Sequence, residues 1–299
     1  MRGIWTALIT PFNLRNELDL PSFKKMLRHQ ADAHVEGVVV CGSTGESITL
    51  SWEERKQLIQ TAVQELKGSG IKVFAGTGTA STRESVEFSA WASNQGVDGV
   101  LIISPYYNRP SQAGLELHFK AIADAVKCEV TLYNHPGRTG VSLNADTIVQ
   151  LAAHPRINSI KEASGSISFT NELKDLLQAK GRTLDVLAGD DSNYLPLMSV
   201  GALGVISVVS NLIPKAMVEI QRALEKNEHP KAIELNQKYY PLYRDLNVET
   251  NPVPIKYAMA YQGWCEAAVR QPLVPLLPGS AEKLVTTLKR CGITSERFP

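Results

Sequence analysis

Eight short runs rich in β-branched residues recur along the chain, and segments with helical periodicity lie between them. The runs begin near residues 3, 37, 72, 99, 129, 157, 183 and 204, and a spacing of roughly 20 to 35 residues suits repeated strand, loop and helix units. Eight such units predict an α/β chain folded as a (β/α)8 TIM barrel. An open doubly wound sheet is the alternative, although no G-x-G-x-x-G motif opens the first βα turn.

Serine residues mark the starts of several predicted helices. Ser22, Ser51 and Ser81 each precede a segment with apolar residues at helical spacing. Glu54 and Glu84 follow the last two serines at the position that completes a capping box. We therefore expect helix N-termini at these three serines.

The pattern changes after the eighth run, because only helical periodicity remains from about residue 214 onward. The first of these helices closes the eighth βα unit. We predict a catalytic barrel over 1–226 and a C-terminal helical region over 227–299 that packs on the barrel, since no flexible linker separates the two.

Charge and cysteine usage narrow the class of function. The chain has 31 Lys and Arg residues against 30 Asp and Glu residues, a balance that favours small-molecule partners over nucleic acid or an anionic membrane. The four cysteines are scattered and form no C-x-x-C pair, which predicts a reducing compartment, most simply the cytoplasm. No segment has the about 18 uninterrupted apolar residues of a membrane span.

In a barrel of this type the site is built from the C-terminal ends of the strands. The residues predicted to lie there include one amine, three phenols and several hydroxyls, but neither a pair of catalytic carboxylates nor a histidine cluster. This inventory favours amine chemistry over glycoside or metal-dependent hydrolysis. The residues are Ser43, Thr44, Tyr106, Tyr107, Tyr133, Lys161, Gly189, Asp190, Ile206 and Ser207.

Lys161 stands inside the run "INSIKEAS", which otherwise has the pattern of a buried strand. A neutral lysine attacks a ketone to form an iminium, which lets the neighbouring carbon become a nucleophile. A phenol such as Tyr133 moves the protons without burying a second charge. The alternatives are a structural Lys161 that reaches solvent or pairs with Glu162 or Asp190, and a Tyr133 that only packs in the core.

Two loop segments have both a structural and a functional interpretation. "GSTGES", residues 42–47, either turns the chain and caps the next helix or binds a carboxylate through exposed backbone N–H groups. Arg138 in "PGRTG" is either a solvated loop cation or a bidentate clamp for a substrate carboxylate.

Other polar residues favour structural roles. His118 and His135 have no second ligand at metal spacing, so we interpret them as ordinary packed or surface residues. Asp190 and Asp191 are interpreted as strand-end and capping carboxylates rather than as a metal site. We expect neither a metal nor an organic cofactor.

Five segments together resemble the dihydrodipicolinate synthase family of the pyruvate-dependent class I aldolases, the N-acetylneuraminate lyase superfamily. They are "GSTGES", "SPYYNRPSQ", "LYNHPGRTG", "IKEAS" and "GVISV". The resemblance implies that Lys161 forms a Schiff base with pyruvate and that Tyr133 donates and accepts the protons. It further implies a hydroxyl relay of Ser43 with Tyr107 of a neighbouring subunit, and substrate carboxylates bound at Thr44, the backbone of Ile206, and Arg138.

Two departures from the family pattern affect these expectations. Ser43 stands where the synthases commonly have threonine, and serine lacks the methyl group that restricts χ1. The usual pocket for lysine as a feedback inhibitor is altered at Trp52, Arg55 and Ala80, so we predict weak or absent inhibition by lysine.

We therefore expect a cytoplasmic lyase that condenses pyruvate with L-aspartate-4-semialdehyde to 4-hydroxy-tetrahydrodipicolinate, on the diaminopimelate route to lysine. The family implies a homotetramer built from tight dimers. The alternatives are another class I pyruvate aldolase, such as an N-acetylneuraminate lyase or a 2-keto-acid aldolase, and a non-catalytic barrel that binds a keto acid.

Overall fold

The eight predicted runs are strands of a closed parallel barrel with the order β1 to β8 in the computed structural model, which describes residues 1–295. The (β/α)8 prediction is therefore confirmed, and the open sheet is excluded. The strands are β1 Gly3–Ala7, β2 Gly37–Val40, β3 Lys72–Gly76, β4 Gly99–Ile103, β5 Glu129–Asn134, β6 Ile157–Glu162, β7 Asp185–Ala188 and β8 Gly204–Ser207. Most strand residues are buried, as expected for strands covered on both faces.

Helices follow the strands, and short 3-10 helices lie at Ser47–Thr49, Asp191–Asn193 and Val209–Asn211. The helices are α1 Leu20–Asp32, α2 Trp52–Glu65, α3 Thr82–Asn94, α4 Gln112–Ala125, α5 Pro136–Thr139, α6 Ala145–Leu151, α7 Ile167–Ala179, α8 Tyr194–Ser199, α9 Pro214–Glu225, α10 His229–Asp245, α11 Val253–Tyr261 and α12 Pro278–Arg290. Among residues 1–295, no helix is both long and apolar enough to cross a membrane.

Two of the three predicted N-caps are confirmed. The Ser51 side chain accepts from the Glu54 backbone N–H, and the Glu54 side chain accepts from the Ser51 backbone N–H, which completes the capping box. Ser81 caps α3, but the predicted capping box with Glu84 is wrong, because the Glu84 carboxylate accepts from the Thr79 hydroxyl at 3.4 Å instead.

The prediction that Ser22 is an N-cap is wrong. Asp19 caps α1, and its side chain accepts from the Ser22 backbone N–H at 3.1 Å. The reason is Pro21 in the first turn, where the fixed φ of proline suits the start of a helix and its missing N–H costs nothing.

The chain divides into two compact units. One comprises Met1–Gly3 with Lys72–Ile206, and the other comprises Ile4–Ile71 with the chain from Ser207 onward. The division into 1–226 and 227–299 remains a prediction, and residues 296–299 of that C-terminal region lie outside the described residues.

The unit that contains the C-terminal helices is held together by buried polar contacts. The Tyr243 hydroxyl of α10 donates to the sulfur of Met217 of α9 at 3.4 Å. The Thr287 hydroxyl of α12 donates to the Asp245 carboxylate of α10 at 2.6 Å. Hydrogen bonds, first from Arg244 and then from Thr287 and Lys283, lower the pKa of Asp245.

Candidate active site

A buried lysine and a buried tyrosine lie side by side at the ends of β5 and β6. Lys161 and Tyr133 are opposite each other in the strand register, and each is 5% exposed. The Lys161 Nζ lies 4.4 Å from the centre of the Tyr133 ring. Within residues 1–295 no ion pair holds this amine, so pairing with Glu162 or Asp190 does not explain the lysine.

The residues next to this pair in the strands bind each other. The Asn134 side chain donates to Glu162 Oε2 at 2.9 Å and accepts from the backbone N–H of Leu143 at 3.0 Å. Glu162 Oε1 accepts from the Ser164 backbone N–H. Burial raises the pKa of Glu162, and these hydrogen bonds act against that rise. Because successive strand residues point to opposite faces, Glu162 points away from Lys161 while its contacts fix the strand end.

The backbone of Tyr133 is anchored from the neighbouring strand. Tyr133 is opposite Ile103 in the register of β4 and β5. The Ser104 backbone N–H donates to the Tyr133 carbonyl at 3.2 Å. The phenol is thus carried by a rigid element, which a proton-transfer group requires.

The segment "HPGRTG" forms one helical turn directly after β5. The backbone N–H groups of Arg138 and Thr139 donate to the His135 carbonyl at 3.0 and 3.1 Å. The turn ends at Gly140, whose φ of 71° lies in the left-handed region. Arg138 is exposed on this turn, so its guanidinium is presented from a defined helical turn.

His135 contacts the buried pair. Its ring lies 5.8 Å from the Tyr133 ring in an edge-on arrangement. Burial, and then the positive charges of Arg138 and Lys161, lower the pKa of His135 to about 4, while Asp190 acts in the opposite direction. The imidazole is therefore neutral at neutral pH.

This neutrality has a kinetic consequence. Protonation of His135 occurs only as the pH falls towards about 4, so above about pH 6 the ring contributes no change of charge to catalysis. We expect the pH profiles of kcat for the wild type and for His135→Asn to share the same inflections above that pH. An inflection near neutrality that disappears in the variant would contradict this prediction.

The loop after β4 carries Tyr107 in an unusual conformation. Tyr107 is 95% exposed, with a φ of 72°, and Arg109 has a φ of 46°. Asn108 lies between them and donates from its side chain to the Ala80 carbonyl at 2.9 Å. Non-glycine residues at positive φ are disfavoured, and such strain is common at functional sites. The loop thus holds an exposed tyrosine in a defined position.

Three further predicted site residues lie near the ends of β2 and β8: Ser43 and Thr44 come after β2, and Ile206 lies in β8. Thr44 is buried, and its hydroxyl accepts from the Asn251 side chain at 3.0 Å. Ser43 is partly exposed in the same loop. Ile206 is buried within β8.

The residues interpreted as structural make local contacts. His118 is buried in α4, with its Nδ1 3.0 Å from the Thr82 hydroxyl, and burial lowers its pKa to about 4. Asp190 accepts from the Ser192 backbone N–H at 2.7 Å as a cap. Among residues 1–295 there is no group of three or more His, Cys, Asp or Glu side chains that could hold a metal ion.

Sequence reasoning missed the polar residues that support the site. Asn134, Glu162 and Asn251 hold strand ends or the Thr44 hydroxyl. Asn134 and Glu162 follow Tyr133 and Lys161 directly in the sequence, so paired polar residues at the ends of the two strands were the available signal. No local signal linked Asn251 to Thr44.

The pair of Lys161 and Tyr133 defines what the site can do chemically. A buried amine that no carboxylate holds among residues 1–295 is suited to attack a carbonyl. An adjacent phenol can then donate and accept protons as the carbinolamine forms and collapses. An amine and a phenol in this arrangement are the groups that Schiff-base chemistry requires.

Known proteins of one family match nearly the full length of the chain. The model of the dihydrodipicolinate synthetase family matches residues 1–291. The 4-hydroxy-tetrahydrodipicolinate synthase of Leptospira biflexa is 43% identical over 296 residues, which are 98% of this chain and 99% of that protein.

Solved structures agree in fold and length. The dihydrodipicolinate synthase of Aquifex aeolicus gives a TM-score of 0.95 at 38% identity, with 99% of this chain and 100% of that chain covered. The chloride-inhibited dihydrodipicolinate synthase of Acinetobacter baumannii, complexed with pyruvate, gives 0.94 at 39% identity, with coverage of 98% and 99%. With this agreement in sequence and fold, the chain belongs to the dihydrodipicolinate synthetase family.

Proposed function

We propose that the chain is a lyase that condenses pyruvate with L-aspartate-4-semialdehyde to give 4-hydroxy-tetrahydrodipicolinate, in lysine biosynthesis. The observation that carries this proposal is the buried Lys161, with its Nζ 4.4 Å from the centre of the Tyr133 ring. The family match over residues 1–291 supports the same reaction. Turnover of the two substrates by the purified protein tests it, with N-acetylneuraminate lyase and 2-keto-acid aldolase substrates as the comparison panel.

The reaction begins at the ketone of pyruvate. The amine of Lys161 attacks C2, the carbinolamine loses water, and the resulting iminium draws electrons from C3. Loss of a proton from C3 gives an enamine, whose carbon attacks the aldehyde of the second substrate. The amino group of that substrate then attacks C2, closes the ring and releases Lys161. The pyruvate in the Acinetobacter baumannii structure supports the first substrate.

Each proton in this sequence needs a carrier. We assign Tyr133 as the donor and acceptor, with Ser43 and Tyr107 of a neighbouring subunit as the relay. The exposure of Tyr107 and its strained backbone support a role outside its own subunit. Thr44 and the backbone of Ile206 are assigned to the pyruvate carboxylate.

Arg138 is assigned to the carboxylate of the aldehyde substrate, because its exposed guanidinium can bind a carboxylate in bidentate fashion. We expect Arg138→Ala to raise the KM for the aldehyde by about 10- to 100-fold, the cost of a charge-assisted hydrogen-bonded pair. Formation of the pyruvate adduct should change little. Steady-state kinetics with each substrate varied in turn measures the difference.

Arg28→Ala is the matched control, because Arg28 is a surface arginine on α1 that pairs with Glu65. Its kinetic constants should equal those of the wild type. If Arg138→Ala impaired pyruvate and the aldehyde equally, the assignment of Arg138 would be wrong.

Inhibition by lysine is expected to be weak or absent. Trp52 and Arg55 lie on α2, and Ala80 precedes α3, where the family's lysine pocket has hydrogen-bonding residues. A cationic effector would meet the Arg55 guanidinium and lose hydrogen-bond partners. Steady-state assays with added L-lysine test this, and half-inhibition below one millimolar would contradict it. The triple variant Trp52→His, Arg55→His and Ala80→Asn should gain sensitivity.

We further propose a cytoplasmic homotetramer built from tight dimers, with a catalytic barrel over 1–226 and an attached helical region over 227–299. Membership of the family supports this assembly, and sedimentation velocity measures it directly. Pyruvate and L-aspartate-4-semialdehyde are the proposed small-molecule partners, and neither a metal nor an organic cofactor takes part in the steps above.

A further inference from the structure

A second buried lysine, Lys256, contacts the loop that carries Ser43 and Thr44. Lys256 of α11 and Glu46 of this loop form an ion pair with an Nζ to Oε1 distance of 2.5 Å, and their side chains are 0% and 1% exposed. The other carboxylate oxygen of Glu46 accepts from the backbone N–H of Arg270 at 3.0 Å. Both oxygens of this buried carboxylate are therefore bound.

Aromatic and cationic groups enclose the ion pair. The Lys256 Nζ lies 4.1 Å from the centre of the Phe12 ring, and the Arg270 guanidinium lies 4.3 Å from the same centre. Arg270 also binds Glu54 of α2 and the Thr49 carbonyl. The pair thus joins α11 to the loop, and Arg270 links the same loop to the start of α2.

The loop itself needs such support, because its backbone is strained. Glu46 has a φ of 53°, in the left-handed region that disfavours a residue with a side chain. A Cβ atom at Gly45 would lie 3.1 Å from the Leu8 carbonyl oxygen, so the loop passes close to the backbone after β1. The Thr10 hydroxyl donates to the Gly45 carbonyl at 2.7 Å.

The segment that carries Lys256 contacts the loop twice. Asn251, just before α11, donates to the Thr44 hydroxyl at 3.0 Å, and Lys256 binds Glu46 two residues further along the loop. These contacts lie on either side of Gly45, so the segment 251–256 holds both the Thr44 hydroxyl and the Glu46 carboxylate.

A buried ion pair contributes little net stability, because desolvation of the two charges offsets their attraction. Such pairs are retained in some proteins because they select one conformation over others. We propose that Lys256 is a positioning residue for the reaction: its ion pair with Glu46 holds the loop in the conformation that presents Ser43 and Thr44 to pyruvate. This inference rests on the proposed function, since it concerns the same substrate.

The two buried lysines therefore have different tasks. Lys161 has no ion pair within the described residues and faces a phenol, whereas Lys256 is held by a carboxylate. Burial lowers the pKa of Lys256, and the Glu46 charge acts against this. A lysine held by a carboxylate cannot attack a ketone while the pair persists.

Two variants separate positioning from stability. Lys256→Met leaves the buried Glu46 carboxylate without its ion-pair partner, so we expect a lower thermal midpoint and a pyruvate KM raised at least about tenfold. The double variant Lys256→Met with Glu46→Leu removes both charges, so its midpoint should return towards that of the wild type. Its pyruvate KM should remain raised, because the tie between α11 and the loop is still absent.

The measurements are thermal unfolding, steady-state kinetics with each substrate varied, and the rate of borohydride trapping of pyruvate. The KM for the aldehyde should change less than the KM for pyruvate. Lys283→Met is the matched control, because Lys283 is an exposed lysine of α12 that pairs with Asp245 at 3.2 Å. It should leave the kinetic constants unchanged.

A wild-type pyruvate KM in either folded variant would overturn the positioning role. If the single variant does not fold, the double variant decides alone. Trapping of pyruvate on the wild type is recorded first: its failure would disprove the proposed function, whereas normal trapping with an unchanged KM in the double variant would disprove only the role of Lys256.

Discussion

Lys161→Ala is expected to abolish turnover while the fold is kept. No other described amine has the combination of burial beside a phenol and absence of an ion pair that suits Lys161 for attack on a ketone. Loss of a covalent nucleophile should lower kcat by at least about 10⁴-fold. Removal of a buried amine without a counter-ion should leave the thermal midpoint unchanged or raised, because its desolvation cost disappears.

The control for this variant is Lys120→Ala, since Lys120 pairs with Glu116 on the surface of α4. Kinetics and thermal unfolding of both variants give the comparison. A Lys161→Ala protein that is folded and turns over at a rate near that of the wild type would show that the nucleophile lies elsewhere.

Tyr133→Phe should lower kcat by about 10²- to 10⁴-fold, the usual size of a general acid–base contribution. The ring is 5% exposed and packs against the Lys161 amine, and phenylalanine preserves that packing. The variant therefore slows proton transfer without removing the packing around Lys161. The pyruvate adduct should still form, but slowly. Pre-steady-state trapping with borohydride separates slow adduct formation from failure to bind pyruvate.

Tyr240→Phe is the matched control. Tyr240 is an exposed tyrosine on α10, which contributes no residue to the candidate site. It should behave as the wild type does. Rates in Tyr133→Phe within a factor of about two of the wild type would contradict the assignment of Tyr133 as the proton carrier.

The strands and the pair of Lys161 and Tyr133 could be predicted because short stretches of sequence mark both. Buried parallel strands give apolar runs that the sequence displays directly, and seven of the eight predicted starts coincide with the observed ones, while β7 begins at Asp185. Lys161 was recognisable as a candidate because burying a lysine charge within an apolar strand costs free energy unless the amine is paired or takes part in chemistry. The order of the strands makes β5 and β6 neighbours, whereas the register that places Lys161 opposite Tyr133 includes a shift between Val130 and Thr131 that only the structure shows.

The parts that could not be predicted depend on contacts between distant segments. Glu46 and Lys256 are 210 positions apart, and neither has a local pattern that marks it as buried. The lowered pKa of His135 arises from burial and from the charges of Arg138 and Lys161, which only the folded chain brings together. The predicted N-cap of α1 was wrong for a different reason: Pro21 favours a helix that begins one turn earlier, with Asp19 rather than Ser22 as its cap.

Borohydride reduction in the presence of pyruvate, followed by mass spectrometry of peptides, tests whether Lys161 forms a Schiff base with pyruvate. We expect one reduced pyruvate adduct, located on Lys161 and absent in Lys161→Ala, with no adduct on Lys256. An adduct on Lys256, or none on a protein that turns over both substrates, would contradict this expectation.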